Sequence, residues 1–426
     1  MAAPDYQPST INYQLIRARI IVPVSHKPFA DGAVNISRGR VVAVGHWRDF
    51  PANARKNAID LGDVALLPGL VNAHCHLEYT GLAGEFLPPK HFSDWLKLIV
   101  TAKGLRTNAD FAKSWIEGAK QLLHTGTTTV ADIEALPELL PKVWHATPLR
   151  VFSFLEMTGV KNRRPPREIL AEAAAKIRSL PTGYSRAGLS PHSPYATTPE
   201  LLRLAAKLAR RKRFRVTTHV AESHEEFEMF AHARGRMFDW LKTQRDPADC
   251  GHGSPVQALA AAGLLGANFL AVHANYLAPG DAGLLARKKS SVVHCPRSHS
   301  FFGHPKFPFK ELAAAGVNVC LGTDSLASIE AKRKQPLELN MFSEMRSFAR
   351  RNPGTPPGTI LRMATANGAH ALGLGNRAGE ISKGAFADLI ALPCREKLAD
   401  IYEAILHHRG DVTASVIGGR WAIAPK

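Results

Sequence analysis

The sequence predicts an α/β protein, a (β/α)8 barrel flanked by a small β-sandwich domain that both chain ends build. Three observations carry this. From about Leu66, eight short β-rich runs recur, each followed by a longer stretch of helical composition. Strand and helix alternating eight times is the pattern of a closed parallel barrel. Short strand-like runs before the first unit and after the last have no helical partner, so they are expected to join. The expected divisions are 1–65 and 376–426 for the two parts of the small domain and 66–375 for the barrel.

In chain order, Leu15–Val22, Ala33–Ile36 and Val41–Gly45 read as strands separated by turn signals at Asp31-Gly32 and Arg38-Gly39. The barrel strands are expected at Leu66–His74, Thr127–Ile133, Arg150–Met157, Ala187–His192, Phe214–His219, Phe269–His273, Ser291–Cys295 and Val317–Thr323. Between them, stretches such as Pro199–Arg211 and Pro255–Leu265 carry Ala, Leu and basic residues at helical spacing. Leu337–Arg350 and Thr359–Leu372 read as helices after the eighth unit. Ala387–Leu392 and Ala414–Ile417 read as strands of the tail.

Composition excludes several classes. Of the 426 residues, 45% are hydrophobic and 21% charged, which is ordinary for a globular protein. No apolar run reaches the roughly 18–20 residues of a membrane span, and the opening ten residues show no leader pattern. Five scattered cysteines without a C-x-x-C pair suit reduced thiols in a cytoplasm. The formal charge of +18 is spread along the chain. Its short run Arg210-Arg211-Lys212-Arg213 lacks the interleaved aromatics of a nucleic-acid platform. The expected partner is a small molecule, with neither nucleic acid nor membrane, and the expected assembly is a homodimer.

The chemistry sits at strand ends. His74 and His76, in Asn72-Ala73-His74-Cys75-His76, are two apart on an extended segment and can face one point. Two neutral imidazoles meeting there suit zinc or iron(II). The fifth strand ends in His219-Val220-Ala221-Glu222, the sixth in His273, the eighth in Gly322-Thr323-Asp324-Ser325. Each falls where barrel enzymes place their active sites. Other signatures fail: no phosphate loop, no H-E-x-x-H, and no P-C-x-x-C after His76-Leu77-Glu78.

Leu67-Pro68-Gly69-Leu70-Val71-Asn72-Ala73-His74-Cys75-His76 resembles the opening signature of the amidohydrolase superfamily. His219-Val220-Ala221-Glu222 and Leu321-Gly322-Thr323-Asp324-Ser325 resemble motifs of its aminohydrolase branch, which holds cytosine, guanine and S-adenosylhomocysteine deaminases and triazine hydrolases. Asp31-Gly32 through Val44-Gly45 and Gly379 through Leu389 resemble its flanking β domain. The resemblance implies that His74, His76, His219 and Asp324 bind a metal. A cation held by three neutral imidazoles and one carboxylate keeps net positive charge and acidifies a bound water. It further implies Asp324 as acceptor of the water proton, Glu222 as the shuttle that carries it to a ring nitrogen and the leaving ammonia, and His273 as a hydrogen-bond donor to the attacking oxygen. Binuclear members place a modified lysine at the end of the fourth strand. Here that strand reads Ser190-Pro191-His192-Ser193-Pro194-Tyr195 without one, which implies one divalent ion per chain, zinc ahead of iron(II).

For the substrate, the resemblance points to a purine-nucleoside-like molecule. Glu78 follows the metal histidines, and Glu85, with Phe92–Leu96 downstream, resembles the loop that meets the ribose in adenosine-type deaminases. The His76-Leu77-Glu78 form also resembles aminodeoxyfutalosine deaminases. His192 is the candidate for the substrate ring. At Ser298-His299 most of the branch has Ser-Asn, so His299 implies altered recognition. Dechlorination, cyclic-amide hydrolysis and a barrel that has lost its metal are the alternatives.

Overall fold

The computed structural model describes residues 13–160, 164–181, 183–331 and 337–425. The opening ten residues, read above for a leader, lie outside them. Among the described residues the strands are β1 (Tyr13–Ile21), β2 (Phe29–Ser37), β3 (Arg40–His46), β4 (Ile59–Asp60), β5 (Val64–Pro68), β6 (Leu70–Cys75), β7 (Thr127–Glu134), β8 (Arg150–Met157), β9 (Arg186–Pro191), β10 (Val216–Val220), β11 (Phe269–His273), β12 (Ser291–His294), β13 (Asn318–Leu321), β14 (Leu389–Pro393), β15 (Ala414–Ile417) and β16 (Arg420–Ile423).

Strands β6 to β13 form one parallel sheet in sequential order, each with a helical crossover to the next. It closes on itself where Cys75 bridges Asp324. There His74 O accepts from Thr323 N at 3.0 Å and Asp324 N at 3.1 Å. This is the expected (β/α)8 barrel. Its helices follow their sequence signals. Pro199–Lys212 is capped by Thr198, whose hydroxyl accepts from Leu201 N, and it buries Leu201, Ala205 and Ala209 along one stripe.

The two ends make a second, mixed sheet in the order β16-β15-β14-β5-β1-β2-β3, with β4 on β1. Its apolar side packs Ile16, Ile36, Leu66, Leu389 and Val416 together. The run Leu66–His74, expected as one strand, is therefore two. Val64–Pro68 pairs with β1 and β14, and the barrel starts at Leu70. The chain turns at Gly69, where a Cβ would stand 2.1 Å from Thr128 Oγ1 and where the N–H donates to Asp388 O. Periodicity alone could not see this break, because both pieces are buried and apolar. The sheet is tied to the barrel by Arg150 and Asp388, a buried pair at 3.1 Å.

Thr359–Leu372, expected as one helix, is also two, Pro357–Met363 and Ala366–Ala371. The interruption lets Ala364 O accept from Val71 N at 2.8 Å, at a register shift of β6. A barrel strand thus takes a carbonyl that an unbroken helix would have used.

Candidate active site

The strand ends converge as the alternation requires. The ring of His74 stands edge-on to His76 at 5.0 Å between centroids and to His219 at 4.9 Å. His76 Nε2 lies 3.2 Å from His219 Nε2. Asp324 Oδ1 is 3.5 Å from His74 Nε2 and 3.7 Å from His76 Nε2. On the other side, Glu222 Oε1 is 3.4 Å from His273 Nε2. All six side chains are buried, and their donor atoms gather in two adjoining groups of three.

The local backbone makes this possible. Ala221, His273, Ala274 and Asp324 have φ values of 50°, 75°, 48° and 56°, unusual for side-chain-bearing residues and typical of functional strain. The turn before Glu222 is held from below, because Ala221 N and Glu222 N both donate to the buried Glu226 carboxylate, at 3.0 and 2.8 Å. Ser223 then caps the helix His224–His232 by accepting from Glu226 N. Asn275 Nδ2 donates to Glu222 O at 2.9 Å. Glu222 is therefore an enclosed residue and not a solvated helix-start carboxylate.

Protonation follows from burial and neighbours. Burial, with His74 beside it, pushes His76 down to about 3. Burial likewise takes His273 to about 3 and, with His192, holds His219 well below the usual range. These imidazoles are neutral and carry lone pairs. Burial opposes ionisation of Asp324, but His74 and His273 outweigh it and keep the carboxylate well below its ordinary pKa. Glu222 is driven the other way, by burial and then by Asp324.

These residues fit a metal ion. His219 Nδ1 donates to His192 O at 2.8 Å, which leaves the Nε2 lone pair directed at His76 Nε2. Buried His74 Nε2 has no hydrogen-bond partner either. Nitrogen ligands each about 2.1 Å from one zinc in tetrahedral geometry stand roughly 3.4 Å apart, the spacing seen here.

His76, His219, Glu222 and Asp324 of this cluster line a cavity of about 560 Å³, a size suited to a drug-sized molecule. His192, Glu156 and Tyr195 form part of its wall, and Trp95, Ile99, Val100 and Trp240 line it as well. Of the four side chains expected on the substrate, His192 is in the lining. Glu78 is buried 2% exposed behind it, with Oε2 accepting from Ala135 N and its pKa raised by burial to about 7. Glu85 is taken by Arg106. His299 is buried between Asn275 Oδ1 and Pro305 O, at 3.0 and 2.6 Å. Glu78 Oε1 is buried without a hydrogen-bond partner, and Glu78, Glu85 and His299 are not among the residues that line the cavity. Sequence reading passed over Glu156, Lys103 and Trp240, which do line it. Glu156 ends the third barrel strand and carried the same positional signal as the metal-type residues. The other two sit on helices, where nothing in the sequence separates a cavity-facing residue from a surface one.

Fold and site together define a barrel protein with an enclosed imidazole–carboxylate centre of hydrolase type. Residues 65–422 match the amidohydrolase family, and the chain belongs to that family. It is 31% identical over 422 residues to a 5-methylthioadenosine/S-adenosylhomocysteine deaminase of Syntrophobacter fumaroxidans, covering 92% of this chain and 88% of that one. It is also 31% identical over 366 residues to an aminodeoxyfutalosine deaminase of Deinococcus radiodurans, with 80% and 81% covered. The crystal structure of an adenosine deaminase from Xanthomonas campestris with bound zinc superposes with a TM-score of 0.81, at 26% identity over 96% of this chain and 93% of that one.

Proposed function

We propose that this chain is a mononuclear metal-dependent deaminase. It would release ammonia from an aminated heterocycle of purine-nucleoside type, such as aminodeoxyfutalosine, adenosine or S-adenosylhomocysteine. The observation that carries the reading is the meeting of His74, His76, His219 and Asp324 with Glu222 and His273, four of them, His76, His219, Glu222 and Asp324, in the lining of one cavity. Those first four residues would hold the ion, zinc in the first place and iron(II) in the second. A divalent cation there supplies Lewis acidity that lets water be deprotonated near neutral pH.

The chain's own groups then divide the proton work. Asp324, kept ionised, accepts the water proton. Its Oδ2 is held by Ser298 Oγ at 2.6 Å and Ser328 Oγ at 3.3 Å, so the carboxylate does not rotate away. Glu222, inclined to hold a proton, gives it to the ring nitrogen. The emptied carboxylate then relays the proton that Asp324 took from water to the departing nitrogen, and the hydroxyl left at the ring carbon reprotonates Glu222 as the C–N bond breaks. Neutral His273, whose Nε2 lacks a hydrogen-bond partner, donates to the oxygen that adds to the ring carbon. His192 meets the substrate ring from the wall.

The five cysteines are buried and unpaired, which supports a cytoplasmic setting. Exposed Leu87, Leu98 and Leu105 offer apolar surface for a second copy in a homodimer. The test is an ammonia-release screen of metal-replete enzyme on aminopurine nucleosides, pterins, pyrimidines and triazines. Chloride release from chlorotriazines or ring opening of cyclic amides, without ammonia release from any amine, would replace this reading.

A further inference from the structure

We infer that Glu156 is the carboxylate that recognises the substrate, and that it selects molecules with adjacent hydroxyl donors beside the reacting heterocycle. This deepens the proposed function and rests on it for the placement of the reacting ring. Glu156 ends β8 and lines the cavity, its side chain 11% exposed. Its Oε2 lies 3.2 Å from His192 Nδ1. Among the described residues Oε1 has no hydrogen-bond partner.

Ionisation is settled by the surroundings. Burial works against the charge, but Lys103 and His192 outweigh it and hold Glu156 below the usual carboxylate range. Lys103 lines the same cavity, with Nζ 4.8 Å from the centre of the Tyr79 ring. The charged carboxylate in turn places the His192 proton on Nδ1, which leaves Nε2 as an acceptor. The two oxygens of the Glu156 carboxylate are therefore neighbouring acceptors on this stretch of wall, with the Lys103 ammonium in the same lining. A ligand group meeting that carboxylate has to bring donors.

Position decides which donors these are. The His192 ring packs 4.6 Å from that of His219, so Glu156 stands one ring removed from the reaction centre. A heterocycle reacting over that centre puts its substituent, not its reacting edge, against Glu156. Two adjacent hydroxyls on a sugar match two adjacent acceptors, whereas a lone ring N–H would leave one unpaired. Glu156 is in the cavity lining, whereas Glu78 and Glu85 are not.

The experiment compares wild type with Glu156→Gln on adenosine and 2′,3′-dideoxyadenosine. It reads kcat/KM, binding by quenching of cavity tryptophan fluorescence, and metal content. Hydrogen bonds to a charged acceptor are strong enough that adenosine kcat/KM should fall about 10- to 100-fold. The dideoxy analogue should change by less than about threefold, and metal content should hold. The wild-type preference for the hydroxylated substrate should collapse in the variant. Equal losses on both nucleosides, or an unchanged preference, would overturn the assignment, the first because it marks a structural role. A wild type that releases no ammonia yet binds adenosine more tightly than the dideoxy analogue, through Glu156, would overturn the proposed reaction and support this recognition role. Absence of that preference in wild-type binding would overturn the role itself.

Discussion

Replacing Gly322 with alanine should damage the histidine cluster without removing any donor atom. A Cβ at position 322 would stand 2.8 Å from His74 O and 2.9 Å from His74 Cβ and N. Non-bonded carbon contacts settle near 3.5–4.0 Å, so the seam between β6 and β13 has to open by roughly 0.6 Å. Gly322 is not among the residues with positive φ, so alanine's own backbone preference is no obstacle and the effect is purely steric. The atoms in the way are mostly backbone and cannot swing aside. Opening the seam also stretches the two bonds that His74 O accepts from Thr323 and Asp324. Overpacking of this kind costs about 1–3 kcal/mol. A ligand moved by a fraction of an ångström should lose about 10- to 100-fold in metal affinity, the range found when a ligand's supporting contacts are removed. Chelator-competition titration with zinc and urea unfolding of the same samples measure both. Gly104→Ala is the control, since a Cβ there meets nothing within 4 Å. Wild-type zinc affinity and kcat in Gly322→Ala would refute the close seam as the device that holds His74 against Asp324.

Other outcomes follow from the same geometry. Glu222→Gln should keep near one metal per chain while kcat falls roughly 10²- to 10⁴-fold, the usual worth of general acid–base help; metal loss matching that of His219→Ala would make Glu222 a ligand instead. His74→Ala, His76→Ala and Asp324→Ala should each abolish turnover, the histidine variants through loss of metal, as elemental analysis would show. Chelation should inactivate the wild type, and one equivalent of zinc or iron(II) should restore it; activity rising in proportion to a second equivalent would contradict a mononuclear centre. Arg150→Met leaves the buried Asp388 carboxylate with only Gly418 N and no cation, which should cost about 3–5 kcal/mol in urea unfolding. A loss under about 1 kcal/mol would mean that water reaches Asp388.

The sequence by itself determined the barrel and which candidate donors meet at its rim. Both follow from short-range rules: alternation of strand and helix names the fold, and residues at strand ends share one rim because parallel strands all point one way. His74, His76, His219, His273 and Asp324 were legible for that reason, and Glu222 through the motif it shares with His219. Tertiary structure decided what surrounds them. It split 66–74 at Gly69, since only the small sheet and Thr128 show that the chain must turn there. It took Glu85 into a pair with Arg106 and enclosed His299 between Asn275 and Pro305. It turned Glu156 toward the cavity, with Lys103 and Trp240 arriving in the lining from separate helices. A carboxylate's role depends on which groups reach it first. Those groups come from distant parts of the chain, where no local pattern records them.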